Sequence, residues 1–220
     1  MTLPMRMFLA RLASVLLVVG SVLSSGCRSA APTPPHRSAT PVQRRPQISL
    51  KHGTRAEQET QHQLERLLDQ HDLSPWTFTD KVEIDEESIP HSHPVLTLHT
   101  RHLRDDLLLL ATYIHEQSHH FCQQHRAQVG TAMAEVEAMF PGMPVGFPDG
   151  ANDKDSSYEH LSCVIPLEHA GLRALVGELT ALQVIQFWAQ DHYRVLYGTF
   201  AENRRKIWSA LEKTGLELPQ

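Results

Sequence analysis

The chain has 220 residues, of which 41% are hydrophobic and 20% are charged, and this composition excludes a wholly disordered protein. Its formal net charge is −5, so charge favours no polyanionic partner such as nucleic acid. Histidine is the unusual residue, because the chain has 15 and eight of them lie within 35 residues. Such a concentration points to metal or proton chemistry. The eight are His91, His93, His99, His102, His115, His119, His120 and His125.

The N-terminal segment has the pattern of an export signal. Two arginines precede an apolar run at residues 12–23, which is too short to span a bilayer comfortably. Small residues then lead to Cys27, so the segment resembles a bacterial lipoprotein signal, although its leucine stands one position earlier than usual, at Leu23. The resemblance implies that residues 1–26 are removed and that a lipid on Cys27 attaches the exported protein to a membrane of the bacterial cell envelope. Simple secretion and a transmembrane anchor are the alternatives.

A tether is predicted to follow this signal. Residues 27–48 are rich in Pro, Ser, Ala and Thr and contain almost no large apolar side chains. Such a segment cannot bury enough surface to fold. The globular part is therefore expected to begin near Ser49, and residues 49–220 are enough to form one domain with a substantial core.

The first half of this domain is predicted to contain one helix and two strands. Thr54 and Glu57 have the spacing of a capping box, and leucines follow at helical intervals, which predicts a helix over residues 55–71. Apolar and polar side chains alternate within residues 76–84, as in a half-buried strand. Residues 95–100 form a second, shorter strand by the same pattern.

The second half is predicted to be mostly helical. Residues 107–124 contain no Gly or Pro and follow Asp105 and Asp106, whose charges suit the first turn of a helix. The later elements are a helix at residues 129–140, a loop rich in Pro and Gly at residues 141–157, and helices at residues 167–190 and 200–213. This order of elements predicts an α+β domain dominated by helix.

The helix at residues 107–124 contains an HExxH motif, His115-Glu116-Gln117-Ser118-His119. Four residues advance a helix by about 400°, so the two imidazoles stand one turn apart on one face and can reach a common ion. Glu116 lies about 100° around the helix from His115, where its carboxylate can take a proton from an activated water instead of binding the metal. The spacing predicts two zinc ligands and a general base. The alternative is a polar helix end with fortuitous histidines.

The motif, together with the strand at residues 95–100, resembles the zincin superfamily of metallopeptidases. The resemblance implies a zincin-like α+β domain with a small sheet and a central HExxH helix, in which His115 and His119 bind Zn²⁺ and Glu116 is the general base. It also implies that residues 95–100 form an edge strand for an extended peptide substrate. The likeness covers about residues 75–170. The segments YIHEQSHH and PVGFPDG are similar to a bacterial group of zincin-like proteins, which implies no particular activity.

A catalytic zinc needs a third protein ligand and an open position for water. His160, after the long loop, ranks first, and Glu168 ranks second because some zincins use a downstream glutamate. His125 would extend the motif to HExxHxxCxxH, one letter from the metzincin pattern, but Cys122 replaces the glycine that lets the chain leave the helix. His125 should then point away and ranks third. Tyr158 is a candidate oxyanion donor, as a tyrosine is in some zincins.

The cysteines allow three interpretations. With Cys27 assigned to the lipid, Cys122 and Cys163 remain as an even pair in an oxidising compartment. Each lies three residues after a histidine, His119 or His160. A disulfide, two buried thiols and a structural zinc site made of all four side chains are each compatible with this spacing.

The leading functional prediction is an exported zinc-dependent metallohydrolase, most simply a peptidase, whose partners are a peptide or another amide substrate and the membrane. The alternative is a non-catalytic, metal-binding surface lipoprotein on a zincin scaffold. A third interpretation is a structural envelope protein that holds no metal.

Overall fold

The computed structural model describes residues 45–219, so the predicted export signal, Cys27 and all but the end of the predicted tether lie outside the described residues. The described part is a helix-dominated α+β domain with three strands, seven α-helices and one π-helical turn. In this part of the chain, no helix combines the length and the apolar character needed to cross a membrane. In chain order the elements are β1 (Gln47–Leu50), α1 (Arg55–Gln70), β2 (Lys81–Ile84), β3 (Leu96–Leu98), α2 (Asp106–Gln124), α3 (Arg126–Met139), α4 (Lys154–Glu159), the π turn (His160–Val164), α5 (Ile165–Val176), α6 (Glu178–Asp191) and α7 (Arg194–Glu212).

The three strands form one parallel sheet in the order β1-β2-β3. The two later strands lie within the segments predicted to be strands, whereas β1 was not predicted. It pairs with β2 along its whole length, although it contains only two large apolar residues. The first described strand begins at Gln47, two residues before Ser49, because backbone pairing with a neighbouring strand needs no long apolar pattern.

The helices predicted for residues 55–71 and 107–124 are confirmed as α1 and α2. The Thr54 side chain accepts a hydrogen bond from the backbone N–H of Glu57 at 3.3 Å, as a capping residue does. The Asp105 side chain caps α2 in the same way. Both helix starts are set by local hydrogen bonds, which is why the sequence pattern locates them closely.

The C-terminal helices differ from the prediction in their boundaries. The single helix expected at residues 167–190 is divided into α5 and α6 at Gly177, which has a φ of 86°. Glycine adopts this left-handed conformation without the steric cost of a Cβ atom. The last helix, α7, begins at Arg194 rather than near residue 200.

Helix α2 lies at the centre of the domain and packs against α1, β3, α5 and the π turn. The approach of α5 is close, because a Cβ atom on Gly171 would lie 3.0 Å from the Ile114 side chain and 3.1 Å from the ring of Trp76. This contact sets the face of α5 that carries Glu168 against the face of α2 that carries His115.

Candidate metal centre

Three buried or half-buried histidines converge between α2 and the π turn. His115 and His119 come from α2, one helical turn apart, and His160 is the first residue of the π turn. Each offers one ring nitrogen, and the three nitrogens lie within 4.8 Å of one another. Such a group can hold a metal ion, with His160, the first-ranked candidate, as its third member.

A disulfide joins Cys122 of α2 to Cys163 of the π turn, with Cα atoms 6.6 Å apart. It ties the two elements that carry the histidines to each other. The interpretation of these cysteines as zinc ligands is wrong, because sulfur atoms joined in a disulfide are not thiolates.

Each of the three rings uses its Nδ1 atom in a hydrogen bond. His115 Nδ1 lies 2.9 Å from Glu168 Oε2, and His119 Nδ1 lies 3.1 Å from Glu159 Oε1. His160 Nδ1 lies 2.7 Å from the backbone oxygen of Ser156. Carboxylate and carbonyl oxygens accept hydrogen bonds, so they hold the ring proton on Nδ1 and leave the lone pair of Nε2 free.

The Nε2 atom of His160 is buried and has no hydrogen-bond partner among the described residues. A buried lone pair without a partner is costly, and a cation would satisfy it. Burial, together with the neighbouring His119, lowers the pKa of His160 well below its usual value. Burial lowers the pKa of His115 in the same direction. Both rings are therefore held in the neutral form that a metal ligand requires.

Glu168, the second-ranked ligand candidate, lies behind His115 and is not a member of this metal group. Its buried carboxylate also accepts hydrogen bonds from the Tyr197 hydroxyl at 2.7 Å and from the Trp188 indole N–H at 2.8 Å. Burial raises the pKa of Glu168 to about 7, and the hydrogen bond from Tyr197 opposes this shift. The structure thus gives Glu168 the task of orienting the imidazole of His115. Trp188 of the core therefore also takes part in this hydrogen-bond network.

Glu116 faces a cavity beside His115. Its side chain is mostly buried, and none of the described residues forms a hydrogen bond with its carboxyl group. Burial raises the pKa of Glu116 to about 7, and the nearby His119 opposes this shift. A carboxyl group held in this way beside a metal group can exchange protons near neutral pH.

Tyr158 does not occupy the position expected of an oxyanion donor. Its hydroxyl donates to the backbone oxygen of Phe140 at 2.9 Å and accepts from the backbone N–H of Met143 at 3.3 Å. These bonds hold the loop after α3. The Tyr158 side chain is buried in the core, and its hydroxyl is already hydrogen-bonded to the backbone.

Tyr193 is the tyrosine that lies over the metal group, and sequence analysis missed it. Its ring centroid is 4.6 Å from that of His160 and 6.4 Å from that of His115. Its hydroxyl has no hydrogen-bond partner among the described residues, and its ring lines the cavity that Glu116 faces. The backbone of Tyr193 is left-handed, with a φ of 48°, a strained conformation for a bulky residue and one that clusters at functional sites. No Gly, Asn or Pro marks this turn in the sequence, so no local pattern could reveal it.

Strand β3 lies at the edge of the sheet, but the backbone at the middle of its outer side already pairs with another segment of the chain. Thr97 exchanges two backbone hydrogen bonds with His91, at 2.7 and 3.1 Å. The backbone of β3 is therefore not open at Thr97 to a substrate strand, contrary to what the sequence suggested for residues 95–100. The segment around His91 forms that side of the domain instead.

One further candidate histidine and one further group of a histidine and two acids lie outside this metal group. His125, the third-ranked ligand candidate, ends α2 and packs its ring against Phe121. His52, Glu57 and Asp85 bring their ligand atoms within 4.8 Å of one another, with His52 exposed and Glu57 buried. Both carboxylate oxygens of Glu57 already accept backbone N–H groups, so that residue holds a loop rather than a cation.

The centre thus combines three imidazoles, an acid without a hydrogen-bond partner among the described residues, a tyrosine hydroxyl and an adjoining cavity. Such an arrangement can support metal-assisted chemistry. Comparisons of the chain with family models, with curated proteins and with solved structures find no match.

Proposed function

We propose that the protein is a zinc-dependent hydrolase of amide bonds, that its substrates are peptides, and that the domain is zincin-like. The observation that carries this proposal is the convergence of three histidine ring nitrogens, one of which belongs to His115, a residue that lines a cavity together with Glu116. Three histidine ligands leave a fourth position for water or substrate on a tetrahedral metal, which is the arrangement of catalytic zinc sites. Imidazole ligands also suit zinc among the common divalent ions, and the orphaned Nε2 of His160 fits such an ion.

A zinc ion held by His115, His119 and His160 would polarise the scissile carbonyl and lower the pKa of the attacking water. Glu116 accepts the proton of that water at its carboxylate and then delivers it to the leaving amine. Behind the ligands, Glu168, Glu159 and the Ser156 carbonyl keep the three Nδ1 protons in place. They orient the rings and raise the basicity of the coordinating nitrogens.

The Tyr193 hydroxyl is proposed to donate a hydrogen bond to the substrate oxygen as negative charge develops on it. A preorganised donor of this kind stabilises the transition state more than the bound substrate. The Tyr193 ring lies against His160, with the two ring centroids 4.6 Å apart, which places the tyrosine beside the metal group.

Tyr193→Phe is therefore expected to lower kcat by about 100-fold while KM changes little, because an oxyanion donor acts mainly in the transition state. The measurement is steady-state cleavage of a quenched-fluorescence peptide by the zinc-loaded protein. Tyr158→Phe is the matched control, since it removes a hydroxyl that is bonded to the loop after α3. The control should lower thermal stability and leave kcat unchanged. A parental kcat in Tyr193→Phe would exclude the role proposed for Tyr193.

We propose further that the protein is exported and held in the bacterial cell envelope by a lipid on Cys27. The disulfide between Cys122 and Cys163 supports export, because such bonds form and persist in oxidising compartments. The N-terminal pattern supports the lipid.

A non-catalytic metal-binding lipoprotein is the second candidate function. One observation favours it: His91 pairs with Thr97 and so occupies the sheet edge to which an extended peptide substrate would bind. Both candidates bind metal, so only turnover separates them.

The test of the proposed function is metal content together with hydrolysis. The purified protein is expected to contain about one zinc ion per chain by elemental analysis, as three converging ligands require. Cleavage of a mixed peptide library should stop on treatment with a chelator and return when zinc is added back. A protein without stoichiometric metal would refute both candidate functions, and one with zinc but no cleavage would refute the hydrolase.

A further inference from the structure

The disulfide between Cys122 and Cys163 joins two parts of the metal group. Cys122 lies on α2, three residues after His119, so its side of the bond carries His115 and His119. Cys163 lies in the π turn, three residues after His160, the third member of the group. The two cysteines are 41 residues apart in the chain, and α3, the loop after it and α4 lie between them. The bond is therefore a direct covalent link between the third histidine's element and that of the first two.

Few other bonds hold the π turn against α2. Among the described residues, one hydrogen bond joins α2 to residues 154–164, and it runs from His119 Nδ1 to Glu159 Oε1 at 3.1 Å. The Nδ1 bond of His160 goes to the Ser156 oxygen at 2.7 Å, within its own segment. Without the disulfide, the position of His160 relative to the two histidines of α2 would depend on one hydrogen bond, on packing and on the attachment of the turn to α5.

Burial gives the ring of His160 a reason to move away from the centre when no ion binds it. Its Nε2 atom is buried and has no hydrogen-bond partner among the described residues, which is costly. A turn that could move would lower this cost by bringing the nitrogen to water. The disulfide opposes that movement and keeps the three ring nitrogens, which lie within 4.8 Å of one another, in place for an ion. Ligands held in place bind more tightly, because binding does not have to order them.

A groove beside α2 gives a reductant an approach to this bond. The groove has a volume of about 440 Å³ and is lined by Cys122 together with His119, Gln123 and Glu159. It shares no lining residue with the cavity that Glu116 faces. Although Cys122 is only 1% exposed, a small displacement of this wall would let a reductant reach its sulfur.

We propose that the disulfide between Cys122 and Cys163 is a redox switch for the metal centre, so that zinc binds tightly to the oxidised protein and weakly to the reduced one. The proposal rests on the proposed function and adds a regulation of the same site. Reduction by a dithiol transfers two electrons and two protons: the S–S bond breaks, both cysteines become thiols, and the dithiol becomes a disulfide. Because disulfides persist in oxidising compartments and are reduced in the cytosol, the centre would gain its full zinc affinity only after export.

The switch has to act in both directions. If oxidation strengthens zinc binding, bound zinc must stabilise the disulfide by the same factor, since the two equilibria are linked. Loss of a group that orients a metal ligand costs about 10- to 100-fold in affinity, and the disulfide holds a whole ligand-bearing turn, so we expect about 100-fold. For a two-electron couple, a 100-fold change corresponds to about 59 mV in the reduction potential of the disulfide.

The first experiment measures the zinc affinity of the protein in both redox states, by competition with a chromophoric chelator. The reductant is tris(2-carboxyethyl)phosphine, which takes the oxygen of a water molecule, becomes the phosphine oxide and leaves two thiols. Reduction of the parent is expected to weaken zinc binding by about 100-fold. The double variant Cys122→Ala/Cys163→Ala should bind zinc as weakly as the reduced parent and should not respond to the reductant.

Val164→Ala is the matched control. Val164 is fully buried in the same π turn, next to Cys163, so its truncation costs stability but keeps the disulfide. Its melting temperature should fall, while its zinc affinity and its response to reduction stay parental.

Three results of the first experiment would overturn the inference. The first is equal zinc affinity of the parent in both redox states. The second is a reduced parent that keeps zinc tightly while the double alanine variant loses it, because the thiolates would then hold the ion. The third is a reduced parent that loses its helical signal in circular dichroism, because the disulfide would then hold the whole fold rather than the metal centre.

The second experiment measures the reduction potential of the disulfide without zinc and with saturating zinc, from the fraction of alkylated thiols in glutathione buffers. Zinc is expected to lower this potential by about 59 mV in the parent and in Val164→Ala. His160→Ala should show no shift, because the two remaining ligands both lie on α2. No shift in the parent would overturn the inference.

Neither experiment depends on turnover. A protein that shows both effects but cleaves no peptide keeps the redox switch and refutes the hydrolase. A protein that cleaves peptides and has equal zinc affinity in both redox states refutes only the switch. Absence of zinc binding in either state would refute both.

Discussion

Replacing Glu116 with Gln is expected to lower kcat by about 1,000-fold while the protein keeps its metal. The amide of Gln has nearly the shape of the carboxylate but cannot accept the proton of the attacking water. Glu116 is not a member of the metal group and forms no hydrogen bond with any described residue, so the change removes no ligand and disturbs no network. Metal content by elemental analysis and cleavage of the quenched-fluorescence peptide are measured on the same sample.

The control for this experiment is Glu202→Gln, which makes the same chemical change on the exposed face of α7. It should have parental kcat and parental metal content. If Glu116→Gln keeps the parental kcat, Glu116 is not the general base. If it loses the metal, Glu116 takes part in binding the ion, and the division of tasks within the motif is incorrect.

Replacing His160 with Ala is expected to weaken zinc binding by more than about 100-fold. Changes to groups that only orient a ligand cost about 10- to 100-fold in metal affinity, and removal of a ligand should exceed that range. Glu168→Gln alters the partner of His115 Nδ1, which also accepts hydrogen bonds from Trp188 and Tyr197, and its effect is expected within this range. Affinity is measured by competition with a chromophoric chelator.

His125→Ala is the matched control for His160→Ala, since it removes a histidine that packs against Phe121 outside the metal group. Its zinc affinity should equal that of the parent. Thermal melts of the metal-free proteins will show whether each variant is folded. If a folded His160→Ala protein has parental zinc affinity, the assignment of His160 as the third ligand is wrong. If His125→Ala loses zinc affinity, the metal site includes the end of α2.

Local geometry made half of the metal centre predictable from the sequence. His115 and His119 share a helix face because a helix turns by a constant angle per residue, whatever surrounds it. The helix itself was recognisable from its cap at Asp105 and the absence of Gly and Pro. The same holds for α1 with its Thr54 cap. These features depend on neighbours only a few residues away in the chain.

The remaining half depends on contacts between distant segments. The packing of α5 and the π turn against α2 determines whether His160 or Glu168 joins the two motif histidines. This packing depends on the close contact at Gly171 and on the disulfide. No local sequence pattern predicts the left-handed backbone of Tyr193 or the pairing of β1 with β2 either.

By itself, the sequence determined the helix-dominated α+β class and one face of α2 that bears two imidazoles and an acid, because these follow from short-range periodicity and capping. Only the tertiary structure decided which residue completes the metal group, which one orients it and which tyrosine lies over it. Those choices are made by packing and burial across tens of residues of intervening chain, and side-chain identity alone does not encode them.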